Sequence, residues 1–177
     1  MAALAPERLV FIDESAASTS LARLYGRCLR GQRLLGSAPA GHWLSCTMVA
    51  GVRLSGPFAP ALIDGPMNGE VFRAWMEQFL VPALRPGDVV VLDNLGSHRV
   101  SGLEALASSA KVSLCYLPPY SPDLNPIEKM WSSVKSTLRR LAARSFDGLC
   151  DAMAEALQQV VPTHCQGYFR SCGYRIS

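Results

Sequence analysis

Hydrophobic and polar positions along this chain follow two rhythms, short unbroken apolar runs and longer stretches with apolar residues three and four apart. Leu9–Ile12 is a short run rich in β-formers that stops at Asp13, which reads as a buried strand. Between Leu21 and Leu35, Arg23, Arg27, Arg30 and Arg33 alternate with apolar residues and glycines, predicting a turn and an exposed strand. Cys46–Val52 and Pro57–Ile63 read as further strands parted by the turn residues Ser55, Gly56 and Pro57. Asn68 is placed to cap a helix in which Val71, Phe72, Trp75, Met76, Phe79 and Leu80 recur at helical spacing; Pro82 and Pro86-Gly87 should close it. Asp88–Leu92 carries a continuous apolar run, the mark of a strand covered on both faces. Ser101–Ser109 predicts a short helix and Val112–Leu117 another strand. A stiff loop with four prolines, Pro118 to Pro126, then leads into a helix capped by Asn125 with Pro126 in its first position. Ile127, Trp131, Val134, Leu138 and Leu141 line one face of that helix, and a last amphipathic helix is expected over Phe146–Val161. Strands first, then strands alternating with helices, predict an α/β protein with a mixed sheet flanked by helices.

Composition narrows the class. At 177 residues, 49% hydrophobic and 18% charged, the chain suits one domain able to bury roughly 70% of its unfolded surface. A net charge of +3 is compatible with nucleic acid without pointing to it. None of the six cysteines forms a CxxC pair, and His164, Cys165 and Cys172 lack the second ligand pair of a zinc site. The first residues, MAALAPERLVFIDES, do not have the layout of a signal peptide, and no apolar run approaches the ~20 residues that span a bilayer. A cytoplasmic protein with reduced thiols and no membrane partner is the expectation.

Two apolar strands each end in an aspartate, Asp13 and Asp93. In sheets covered on both faces, ligands gather at the carboxyl ends of the strands. If the two strands are parallel neighbours, the aspartates meet and repel unless a cation lies between them. A third carboxylate, Glu128, opens the helix after the proline-rich loop. Oxygen-only ligands favour Mg²⁺ or Mn²⁺, and three carboxylates from separate elements can hold two ions for in-line phosphoryl displacement. Each residue also has an ordinary reading. The aspartates can be turn residues, and Glu128, three after Asn125, can be the reciprocal member of a capping box.

The strings around these residues are more specific: FIDES, VVLDNLGSH and LPPYSPDLNPIEKMW, with 34 residues between Asp93 and Glu128. Together with YGRCLRGQR and GPMNGEVF, they resemble the catalytic domain of DDE transposases of the insertion sequence 630 family, relatives of mariner-type elements. The resemblance runs from about Arg8 to at least Val160. It implies a ribonuclease H-like fold with a five-stranded mixed sheet: Asp13 on the first strand, Asp93 on the fourth and Glu128 on a helix after the fifth. It further implies Mg²⁺- or Mn²⁺-dependent cutting of transposon ends by water, then joining of the freed 3′-hydroxyl to target DNA. Asn94 and His98 match the string after the second aspartate and could touch metal-bound water or DNA, or simply shape a turn. Glu14 matches the first string or faces solvent, and Trp131 reads as core. Lys129, Lys135, Arg139, Arg140 and Arg144 could track a DNA backbone from the helix or form a solvated face, as could the arginines from Arg23 to Arg33.

Full-length relatives carry N-terminal helix-turn-helix domains, for which a first strand beginning within ten residues of Met1 is expected to leave no room. Residues 1–177 therefore read as one catalytic domain, and an upstream reading frame is expected to supply DNA recognition. Its active complex is expected to be a homodimer on transposon ends and target. The alternative is a catalytically incomplete partner that regulates the full-length transposase.

Overall fold

The apolar run at Leu9 opens strand β1 (Leu9–Ser18), which pairs antiparallel with β2 (Ser45–Arg53), itself antiparallel to β3 (Gly56–Asp64). In this computed structural model, which describes residues 5–37, 39–93 and 102–176, β1 also pairs parallel with β4 (Val89–Leu92), and β4 with β5 (Ser113–Tyr116). The five-stranded mixed sheet has the order β3-β2-β1-β4-β5, placing β1 at the centre. The polar second half of β1, from Asp13 to Ser18, stays in the strand because β2 pairs with it as far as Ser45. Asp13 is thus a mid-strand residue, whereas the sequence pattern ended the strand there.

Alternation along β1 sorts its side chains between two cores. Leu9 and Phe11 face α4 (Pro126–Leu141), α5 (Phe146–Gln158) and α6 (Pro162–Ser171), through Ile127, Met130, Trp131, Leu149 and Phe169. Val10 and Ile12 face the opposite layer with Val90, Leu92, Phe72, Trp75 and Leu103. That layer consists of α1 (Gly69–Trp75), a wide π turn (Met76–Leu80), α2 (Val81–Ala83) and α3 (Leu103–Ser109). Asn68 caps α1 as expected, its Oδ1 accepting from Val71 N at 2.9 Å. Pro82 does not stop this helix; Val81 N reaches back to Met76 O, and the widened turn accommodates a residue that has no N–H to donate.

Two other expectations are corrected. Residues 19–37 and 39–44 form no strand, since no neighbouring strand offers a ladder and glycines interrupt the stretch. Thr19 and Leu44 close its base by mutual hydrogen bonds, Thr19 N to Leu44 O at 3.1 Å and Leu44 N to Thr19 Oγ1 at 3.0 Å. The C-terminal region holds two helices in place of one: the first ends at Gln158 and Pro162 starts α6. α6 contributes Phe169, which packs edge-on against Phe11 with ring centroids 5.2 Å apart.

At the amino end of β4, Asp88 and Arg53 form a buried pair at 3.2 Å, 5% and 7% exposed. Asp88 Oδ2 also accepts from Arg85 N at 2.8 Å, and Arg53 donates to Ala83 O and lies over the Phe58 ring. Burial pushes the Arg53 guanidinium below its ordinary pKa, and Asp88 counteracts that.

Candidate active site

Strand parity and register bring the carboxylates together. On β1, Asp13 has the same parity as Leu9 and Phe11, so it faces the α4 layer. On β4, Val91 faces that layer too, and Asp93 follows two residues later. The parallel pairing of Leu9, Val10 and Phe11 with Val89, Val90 and Val91, carried two residues further at the same offset, sets Asp13 level with Asp93. Asp93 itself lies one residue past the end of β4, and its charge is the weakest of the influences that raise the Asp13 pKa.

Glu128 comes from the first turn of α4, whose start is fixed by Pro126 and by Ile127 and Met130 buried beneath it. Asp13 is 5% exposed, and its pKa is pushed up to about 8. Burial is the main cause, followed by repulsion from Glu128, with smaller contributions from Glu14 and Asp93. Only the backbone N–H of Glu14, donating to Asp13 Oδ1 at 2.8 Å, favours its ionised form. Glu128 therefore acts on Asp13 more strongly than Asp93 does.

Asp93 and Glu128 line a cleft of about 320 Å³ whose other wall is the proline-rich loop, Leu117 through Pro122, with Asn125 at its base. Leu117 N donates to Leu92 O at 2.8 Å, so the start of the loop continues the β4–β5 ladder and is held rigidly beside Asp93. The capping-box reading of Glu128 is not realised. Asn125 makes no side-chain cap bond, and Glu128 N bonds the Asn125 carbonyl at 3.3 Å.

Among the described residues, no three His, Cys, Asp or Glu side chains converge closely enough to hold a metal ion. The donor set nevertheless fits a hard divalent cation. It is made of carboxylate oxygens, and at Asp13 they oppose one another's ionisation, a conflict that a cation between them would turn into attraction.

Asn94 and His98 lie outside the described residues. Lys129 is exposed on α4, and Lys135 and Arg139 are half-buried. Arg139 and Arg140 share a groove of about 470 Å³ with Arg23 and Tyr25, joining two basic stretches that are far apart in sequence. Arg140 pairs with Glu155 at 3.1 Å. Arg144 is exposed and donates to Thr19 O and Leu21 O, so it anchors the 19–44 segment. Trp131 is core, 1% exposed.

Two residues at the cleft escaped the sequence reading. Tyr120 is fully exposed on the cleft wall with φ +56, a left-handed conformation unusual for an aromatic residue. Asn125 is 4% exposed and its Oδ1 has no partner among the described residues. Its place in a proline-rich loop before a helix read as capping alone.

The sequence matches the model of the DDE superfamily endonuclease family over residues 8–150, most of the chain. The chain belongs to the DDE endonuclease superfamily. Its fold is ribonuclease H-like, similar to the Mos1 transposase paired-end complex with left transposon end (TM-score 0.71, 17% identity, 94% of this chain and 52% of that one). The catalytic domain of Mos1 mariner transposase also matches, with TM-score 0.56 and 12% identity over 97% of this chain and 85% of that one. A chain of a simian T-cell lymphotropic virus intasome matches at TM-score 0.56 and 11% identity, over 85% of this chain and 48% of that one. This chain spans about half the length of the transposase chain in the paired-end complex. A comparison with curated protein sequences gives no match.

Proposed function

We propose that this DDE domain is the catalytic part of a DNA transposase, with Asp13, Asp93 and Glu128 as its acidic triad. The observation that supports this reading is the buried Asp13 carboxyl on the central strand, whose ionisation Glu128 of α4 opposes and Asp93, just after β4, opposes more weakly. The triad would hold Mg²⁺ or Mn²⁺, two ions in the full assembly, which when bound activate the attacking oxygen and stabilise the leaving one. Solved structures of similar fold include the Mos1 paired-end complex with Mn, the Mos1 paired-end complex with Mg and the Mos1 strand transfer complex.

The protein's own task is positioning. In this reading the sheet and α4 present the three carboxylates to DNA, and the proline-stiffened loop confines the scissile phosphate beside Asp93 and Glu128, which line its cleft. Water attacks at the transposon end, the 3′-hydroxyl leaves, and that hydroxyl then attacks target DNA. The exposed arginines flanking the 19–44 segment and α4 contact backbone phosphates, which position DNA without reading its sequence. End recognition belongs to a helix-turn-helix segment outside residues 1–177, and the working assembly is a pair of copies on two DNA ends.

The test is nicking of supercoiled plasmid by the purified chain. Nicking is expected with Mn²⁺ or Mg²⁺ and is expected to stop on addition of EDTA; metal-independent nicking, or none under any metal, counts against the reading.

Tyr120 makes a second expectation. Its ring stands in solvent beside the cleft on backbone in a strained region, a combination that a stacked base would repay. Base–aromatic stacking is worth about 1–3 kcal/mol, so Tyr120→Ala should weaken binding of DNA with unpaired bases by about tenfold or more. Tyr120→Trp should bind like the parent, and the melting temperature should stay put. Equal binding by the alanine variant in fluorescence polarisation would discard the stacking role.

A further inference from the structure

A buried acceptor without a donor is costly, and Asn125, which lines the candidate cleft, carries one among the described residues. The local alternative is present but unused. Asn125 stands at the N-cap of α4, where its side chain would ordinarily accept from the first turn, yet it makes no such bond. Glu128 N turns to the Asn125 carbonyl instead, and Pro126 has no N–H to offer. At 4% exposure Asn125 is buried, and it lines the same cleft as Asp93 and Glu128.

A lone acceptor in that position selects its ligand by chemistry. Phosphate oxygens are acceptors and cannot satisfy it; a hydroxyl or water can. In cutting, water oxygen bonds to phosphorus, the P–O3′ bond breaks, and the proton lost by water is matched by the one gained by the leaving 3′-oxygen. In joining, a DNA 3′-hydroxyl replaces the water. Both nucleophiles must turn a lone pair toward phosphorus with an O–H held aside.

We propose that Asn125 Oδ1 accepts the hydrogen bond of the oxygen nucleophile, water or 3′-hydroxyl, and orients it for attack. This rests on the reading of the cleft as a phosphodiester-cutting site. The amide takes no proton; it fixes direction, and misdirection of a nucleophile can cost about 100-fold in rate.

The experiment compares the full chain with its Asn125→Ala and Asn125→Ser variants in three measurements: Mn²⁺-dependent nicking of supercoiled plasmid, affinity for a fluorescent DNA duplex, and melting temperature. Expected for Asn125→Ala is a 10- to 100-fold fall in nicking rate, duplex affinity within twofold, and a melting temperature equal to or above the parent's, since a partnerless acceptor has been removed. Asn125→Ser, which keeps a hydroxyl acceptor and suits a helix cap, should fold as well and lie between the two in rate. Affinity falling in step with rate would make Asn125 a DNA-binding contact and overturn the proposal. Melting temperatures lowered in both variants would make it a structural residue and overturn it equally. Parent-like nicking by the alanine variant overturns this inference alone; no nicking by the parent overturns both it and the cleft reading.

Discussion

Asp13→Asn should leave a folded protein that no longer cuts, with nicking lowered by about 1,000-fold or more. Asparagine has the same shape and, at 5% exposure, packs in the same space. What it removes is the charge that a cation needs. The stability effect should run the other way in EDTA. A carboxyl with a pKa of about 8 in the fold against an ordinary 3.8 favours the folded state below about pH 4, and that advantage fades as pH rises through about 8. At neutral pH the metal-free parent therefore bears a burden that asparagine lacks, and the variant should melt at the same temperature or higher. Lost activity with unchanged or raised melting is the pattern of a residue kept for chemistry and not for stability. An Asp13→Asn protein that nicks like the parent would remove Asp13 from the site.

The second large effect is structural. Asp88→Ala should cost about 3–5 kcal/mol, because it leaves the Arg53 guanidinium buried without its carboxylate. The Arg85 N–H loses its acceptor in the same change. For a chain of this size the melting temperature should drop by about 10 °C. Asp88→Leu combined with Arg53→Met should recover most of that loss, since well-packed apolar pairs replace buried ion pairs at little cost. A drop of less than about 2 °C for Asp88→Ala in a thermal melt would show that the pair contributes little. The pair lies at the opposite end of β4 from Asp93, so the double variant should keep its nicking activity.

The hydrophobic pattern revealed most of the strands because each is a short run between turn residues, and it revealed α4 because Ile127, Trp131, Val134 and Leu138 recur on one face. It failed where tertiary partners decide. β1 continues past Asp13 only because β2 pairs with its polar half. Residues 19–37 and 39–44 contain strand-like residues but pair with no strand of the sheet. Pro82 looked like a stop, and the π turn before it let the helix run on.

At the site, Asp93 was legible as a strand-end residue and Glu128 through the string around it, whereas Asp13 was singled out by a strand end that the structure moves to Ser18. Their relation was not, because register and parity are properties of paired strands. The capping reading of Asn125 and Glu128 followed a sound local rule that the structure does not use, which leaves both side chains available to the cleft. Tyr120 sat inside the string around Glu128 without a reading of its own, since its meaning lies in exposure and in a backbone angle.

The measurement closest to the central claim is Mn²⁺-dependent nicking of supercoiled plasmid by Glu128→Gln, set beside its melting temperature. Glutamine preserves size and hydrogen-bonding reach, and the α4 cap does not depend on the Glu128 side chain. The account predicts nicking reduced by about 1,000-fold or more with melting unchanged. Nicking at the parent rate, with melting lowered as for a lost helix cap, would contradict it.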